Sequence, residues 1–304
     1  MPAAFPEMWE SRVRTLLQDE QLALWLDGIP EIDTQVLEVG SGAASESNII
    51  HIPITTFRPG VLINNTTYPL ALVAYDDTSM TIQLDKYQTN PTSLTDDQAN
   101  GASYAQIDSV TKSHRDDITE GKFAKAIHSL APQTTVAGST FVIQCTGDEV
   151  TAGGRRKMLW KDLVTARRSM DAAKCKKKGR RLVLCSDHEN DLLEDNSNKY
   201  ADKLADYLSG NIKGMLAGFE MYQNIDNPMY TAAGAKLAWG AVPGATDRNA
   251  TVIFHPENIV KKTGFTKQYF SGSAGAPRTQ QNEYALRHYF IAVPVMAKYA
   301  GAII

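Results

Sequence analysis

The sequence is poor in the features that announce several common protein classes. Its 304 residues include only three cysteines, Cys145, Cys175 and Cys185. An odd, sparse set builds no disulfide framework and points to reducing surroundings. No apolar run of about 18 residues occurs, so no membrane span is expected. The opening stretch MPAAFPEMWESRVRTLLQDE has no basic segment followed by an apolar core, so it does not read as a secretory signal. Internal repeats and sustained heptads are also missing. The formal net charge is only -3, which argues against a protein whose main work is coating nucleic acid but leaves local contact open.

Signs of chemistry are equally scarce. GSGAAS at 40–45 looks like part of a dinucleotide fingerprint, but SESNIIHIP follows it where a helix is required. AGGRRK at 152–157 lacks the closing Gly-Lys-Ser/Thr of a phosphate loop. Cys175, Cys185 and His188 lack the paired close ligands of a zinc site, and Cys185 reads as a small buried hydrophobe. Ser186, Asp187 and His188 are consecutive, whereas a triad is a spatial arrangement, so Asp187 reads as a helix cap. The acid pairs Asp76-Asp77, Asp96-Asp97 and Asp116-Asp117 fall in turns or on a solvated helix face. No catalytic, cofactor-binding or metal-ligating residue is assigned, and no enzyme activity is expected.

What is present is an ordinary globular composition, 43% hydrophobic and 21% charged, with an uneven spread of charge. Residues 1–130 hold 8 Lys and Arg against 18 Asp and Glu. Residues 155–181 hold 12 Lys and Arg against Asp162 and Asp171. A solvated helix face is one reading of this basic segment. The sharper one is an inter-subunit or inward-facing surface built from Arg155, Arg156, Lys157, Lys161, Arg167, Arg168, Lys174, Lys176, Lys177 and Lys178.

Periodicity supplies an outline. Residues 7–26 are helix-compatible, with Trp9, Val13, Leu16, Leu17 and Leu24 at roughly helical spacing, and a Gly/Ser-rich extended arm follows. IIHIPITTFRPG reads as a strand closed by Pro59-Gly60. Two or three further strands are expected from Val61 to Asn90, with turns at Asn64-Asn65 and Asp76-Asp77. Asp96 is a candidate cap for a helical turn. A long helix is predicted from about Tyr104 to Leu130, its face marked by Ile107, Val110, His114, Ile118, Gly121, Ala124 and His128 and broadened by Ile127 and Leu130. At 1.5 Å per residue it spans roughly 40 Å and acts as a strut. A second helix is predicted from about Arg155 to Lys177, ended by Gly179, and RLVLCS follows as a buried strand. GFEMYQN, LAWGAVP and ATVIFHP read as strands, 264–283 as a loop region around a short helix or hairpin, and YALRHYFIAVPVMAKYAGAII as closing strands.

The order of these elements resembles the major capsid proteins of tailed bacteriophages, the family with the HK97-like fold. TIQLDKYQTNPTSLTDDQAN followed by YAQIDSVTKSHRDDITEGKFAKAI is similar to the family's extended loop running into its spine helix. MLWKDLVTARRSMDAAKCKKKGRRLVLCSDHENDLLED, NIKGMLAGFEMYQNIDNP and the closing segment are similar to its axial and terminal parts. The resemblance implies an α+β fold with an N-terminal arm (1–50), an extended β-hairpin loop or E-loop (51–100), a peripheral domain with the spine helix (101–131), an axial domain (132–283) and closing strands returning to the peripheral domain (284–304). It implies self-assembly into hexamers and pentamers of an icosahedral shell around double-stranded DNA. It implies assembly in the host cytoplasm, a virion location, and scaffolding, portal and decoration proteins as further partners. Trp9, Val13, Leu16 and Leu17 become an assembly arm, and Ile107, Val110, Ile118 and Ile127 the packing face of the spine. Deleting residues 1–26 is expected to leave a foldable subunit that assembles poorly. The rivals are an encapsulin-like compartment shell and a soluble α/β enzyme acting through 264–283.

Overall fold

A computed structural model describes residues 21–32, 49–54, 60–70, 72–74, 78–95, 105–150, 154–194, 205–206, 211–212, 215–272, 281–296 and 298–304. The helix expected over residues 7–20, the GSGAAS segment and Asp96 lie outside them. The chain divides into two compact units, Asp33–Asp85 and the remainder, each taken here by itself.

In the smaller unit, β1 (Ile49–Ile54) and β2 (Thr78–Gln83) form an antiparallel ribbon, Ile49 opposite Gln83 and Ile54 opposite Thr78. The strands expected from Val61 onward do not form within 60–74. Asn65 bonds Thr67 through both side-chain atoms, and Asn64 sits at φ +54°. Such local turns compete with a ladder for the same backbone groups. Val61, Ile63 and Leu72 are therefore left more than four-fifths exposed, with Leu62, Tyr68, Leu70 and Val73 also exposed.

The larger unit opens with β3 (Asp85–Gln88) and β4 (Thr92–Thr95). The long helix α1 (Ala105–Leu130), β5 (Thr140–Ile143) and α2 (Trp160–Ala172) follow. Next come β6 (Arg181–Leu184), α3 (Ser186–Glu194) and the short pair β7 (Ala205–Asp206) and β8 (Asn211–Ile212). Then β9 (Met215–Leu216), β10 (Phe219–Gln223), β11 (Met229–Tyr230), β12 (Arg248–Asn249) and β13 (Thr251–Phe254). The hairpin of β14 (Ile259–Ser271) and β15 (Gln281–Pro294) precedes the last strand, β16 (Ala300–Ile303).

These strands build two main sheets. One has the order β14-β15-β3, with β4 also paired to β15. Across it lies α1: Ile118 packs with Leu286, Phe123 meets Phe290 edge-on at 6.5 Å, and His114 meets Tyr284 edge-on at 5.2 Å. The other sheet has the order β5-β16-β13-β6-β10-β9 and mixes parallel and antiparallel pairs. Leu163, Ala166 and Met170 of α2 close one face of it, over Leu182, Leu184, Ile253 and Ile303. At Gly301 a Cβ would run into the Phe141 ring, so β16 tolerates only glycine there.

A common core joins the two sheets: Phe123, Ile127 and Leu130 of α1, Val183, Val252 and Phe254 of the mixed sheet, and Phe290 and Ala292 of β15. Trp25 and Leu26 enter this same core. Full burial of a side chain of this size contributes about 1.5–3 kcal/mol.

Several expectations need correction. The arm range 1–50 is anchored at 21–32: Ala23, Trp25, Leu26 and Ile29 are buried, while Leu24 is exposed. The backbone there is 3-10 with a kink at Ala23, and Arg181 donates to the carbonyls of Trp25 and Asp27. Deletion of 1–26 would therefore strip core residues, not only an arm. Within 264–283 the hairpin alternative holds and the helix does not appear among the described residues: residues up to Ser271 continue β14, because the alternating Thr-Lys-Gln-Tyr-Phe stretch pairs along β15. LAWGAVP forms no strand. Of the closing segment, only β15 stays with α1. The apolar, two-sided β16 is buried at every position and sits between β5 and β13.

Candidate assembly surfaces

The spine helix carries three kinds of position. Ile118 and Ile127 are buried, Val110 is half-buried, and the Ile107 side chain lies outside the described residues. Phe123 and Ala126, which the three-four reading passed over, are buried as well. His114, near the helix's first half, bridges the β3–β4 turn: its Nδ1 lies 2.6 Å from Thr89 Oγ1 and its Nε2 2.9 Å from Thr92 Oγ1. Burial lowers its pKa, partly offset by Asp117. A groove of about 570 Å³ opens beside it, lined by Lys86, Asn90, Ser113 and Asp117 among others. His114, Thr89 and Thr92 line it too, and the two hydroxyls hold the buried imidazole in place.

At its other end α1 is bolted to the β11–β12 loop. Lys236 Nζ donates to the carbonyls of His128 (2.9 Å) and Ala131 (2.7 Å). His128 Nε2 donates to the Leu237 carbonyl at 2.9 Å, and Trp239 packs edge-on to the His128 ring. A cation at the last carbonyls satisfies groups the helix cannot pair and complements its dipole. Burial, and then Lys125 nearby, push the Lys236 pKa down to about 8. The sequence offered little to find this, since a lysine in GAKLAWG looks like any surface residue.

The basic segment splits. Arg155 is drawn inward by both carboxylate oxygens of Asp191 (2.6 and 3.1 Å), whose Oδ2 also accepts the Met158 N–H at 3.1 Å. Lys157 meets Glu194 at 2.7 Å and Lys176 meets Glu257 at 2.6 Å. Arg180, in the same run, is buried against Asp171 and the Cys175 carbonyl. The side chains of Lys161, Arg167, Arg168, Lys174, Lys177 and Lys178 are exposed without a carboxylate partner among the described residues, and Arg156 is exposed too.

The second helix is shorter than expected at both ends. Residues 155–159 are extended, held by Lys157 N–H to Asp148 O and by a bridge from Arg156 to Glu149. The buried carboxylate of Asp162 accepts the Leu159 N–H at 2.9 Å and the Thr146 hydroxyl at 2.7 Å, which fixes the start. At the finish Cys175 N–H reaches Met170 O and Lys174 N–H reaches Asp171 O, with Lys174 at φ +59°. This is a Schellman end built on lysine, so the helix stops ahead of Gly179.

Cys145, absent from the cysteine–histidine pattern in sequence, lies with its Sγ 3.5 Å from His188 Nε2, while His188 Nδ1 is 2.8 Å from Thr251 Oγ1. The pair is wholly internal. Burial raises the Cys145 thiol far above its usual range, pushes Cys185 up to about 11 and drops His188 to about 4. A neutral thiol beside a neutral imidazole is a packing arrangement, not an activated nucleophile. Among the described residues no cluster of three or more His, Cys, Asp or Glu could hold a metal. No described helix is long and apolar enough to cross a membrane. The arm residues Trp9, Val13, Leu16 and Leu17 lie outside the described set.

No protein-family model matches the chain, and no curated protein sequence does. Its shape has clear counterparts. The capsid of cyanophage P-SCSP1u superposes with a TM-score of 0.60 at 16% identity, over 86% of this chain and 84% of that one. The capsid of a native GTA particle gives 0.58 at 11% identity, over 90% and 94%. A virus-like particle from Pyrococcus furiosus gives 0.55 at 10% identity, over 99% and 100%. The fold is the HK97-like capsid fold, an α+β architecture.

Proposed function

We propose that this chain is a major capsid protein whose copies associate into hexamers and pentamers of an icosahedral shell enclosing double-stranded DNA. The observation that carries this reading is likeness to capsid structures over 86% and 90% of the chain. The loop at 60–74 supports it. Seven large apolar side chains stand exposed there, a surface that a solitary protein rarely presents and that a neighbouring copy would cover. The arm, with Trp9, Val13, Leu16 and Leu17, takes part in assembly, and scaffolding, portal and decoration proteins join in the host cytoplasm to give the virion.

Purified protein viewed by negative stain should show capsomers, closed shells or tubes. A population of small, monodisperse particles at all concentrations would sink the reading. A second function fits the full-length match to the virus-like particle: a compartment shell around protein cargo. Nuclease-protected DNA inside recovered shells supports the capsid, and co-purifying enzyme cargo without DNA supports the compartment.

A further inference from the structure

We propose that the solvent face of α2 and the turn after it bind the phosphate backbone of nucleic acid. Lys161, Arg167, Arg168, Lys174, Lys177 and Lys178 are all exposed, and none meets a carboxylate among the described residues. The acids of the segment do not dilute this charge. Asp162 is buried in its capping role, and Asp171, exposed within electrostatic reach of Arg167 and Lys177, is ion-paired to Arg180 at 2.7 Å. Neighbouring acids are also occupied: Asp191 by Arg155, Glu194 by Lys157, Glu257 by Lys176 and Glu220 by Arg181. Among the described residues, internal pairing therefore leaves cations in excess on this face.

The face also lacks what a protein partner needs. Among its exposed residues from 161 to 178 there is no large apolar side chain, whereas protein interfaces centre on buried aromatic or aliphatic anchors. A row of cations without an apolar centre suits a partner recognised by charge alone. Lys161 and Arg168 are seven residues apart and share one side of α2, about 10 Å apart along its axis, with Arg167 about 100° round the helix and Lys174, Lys177 and Lys178 in the turn past its end. Duplex DNA offers a phosphate charge every ~1.7 Å along its axis, so several contacts form without a sequence requirement. The inference rests on the shell reading only for which DNA is met in the particle. Binding itself is read on unassembled protein, so either can fail without the other.

The test uses the full chain as unassembled subunits or capsomers and a fluorescent duplex of about 30 base pairs, titrated between about 50 and 200 mM salt. The triple variant Lys161→Gln/Arg168→Gln/Lys174→Gln should lower the slope of log K against log salt by about 2.7 and cost at least tenfold in affinity at the lower salt. Should it fold poorly by circular dichroism, Arg167→Gln/Lys177→Gln should lower the slope by about 1.8. Lys176→Gln, at a cation already paired, should change it less than any single unpaired cation. An unchanged slope in the variants overturns the proposal. So does equal displacement of the duplex by poly-glutamate, or loss of shells by microscopy while DNA binding is intact, because either assigns the face to an acidic protein surface.

Discussion

The same kinds of side chain meet opposite fates in two regions of this molecule. In the joined core, Ile127, Leu130, Val252 and Phe254 are almost completely buried. In the 60–74 loop, Val61, Ile63 and Leu72 face solvent. The core residues sit on regular elements whose backbone groups are already paired, so their side chains can be brought together. The loop residues flank Asn65, whose side chain pairs locally with Thr67, and no described residue of the ribbon's own unit covers them. Hydrophobic content alone therefore says little about where a capsid-fold chain keeps its stability. The core serves the subunit, and on our reading the loop serves the assembly.

The largest effect that would sharpen this contrast comes from Ile118→Pro. It removes a backbone donor in mid-spine and clashes with the preceding turn, a cost of about 3 kcal/mol or more added to the lost contact with Leu286. Soluble subunit should disappear from expression trials. Unchanged yield and helicity would refute the strut assignment. Next, Trp25→Ala should cost about 3–5 kcal/mol by denaturant titration, because it empties a core site beside Phe254. Removal of residues 1–20 should leave subunit stability near that of the full chain but reduce shell yield.

The polar centre of the core gives a pH effect of intermediate size. His188 has a folded pKa near 4 against an ordinary value of 6.5, so the unfolded chain takes up the proton first. Stability is full above about pH 6.5 and falls as pH drops toward 4, by on the order of 3 kcal/mol. His188→Gln should flatten that part of the stability-versus-pH curve, and a wild-type curve flat from pH 6.5 to 4 would contradict the burial argument. The smallest effect on the subunit is expected from Leu62→Ser/Ile63→Ser/Leu72→Ser, within about 0.5 kcal/mol. Shell yield in the same variant should collapse. A large loss of subunit stability would break the comparison, showing that the loop belongs to the core after all.

Patterns that depend on a single element were legible in the sequence. The long helix could be read from its apolar spacing because its buried positions recur along one continuous core, and its described span is Ala105–Leu130. RLVLC could be read as a buried strand because it is apolar on both sides. Features made by partners far apart in sequence could not. Arg155 looks like the start of a basic helix until Asp191, 36 residues on, pulls it into an extended approach. Trp25 looks like the end of an arm helix until Phe254 packs edge-on against it. The distal part of β14 was hidden because half of a sheet ribbon facing solvent reads as loop. In the basic surface, the cations were visible in sequence, but which of them are internally paired was not, since that depends on where Glu194, Glu220 and Glu257 arrive.

The lysine at the end of the spine has a mechanical meaning. Its ammonium reaches the carbonyls of His128 and Ala131, at the end of α1, from the loop of the separate β11–β12 ribbon. Helix and ribbon are thus tied together by a buried charge. Holding the charge there is costly, and stability should rise as pH climbs from about 8 toward 10.5 and the folded protein releases the proton first. Near neutrality the tie is made with a charge whose burial the rest of the fold must offset.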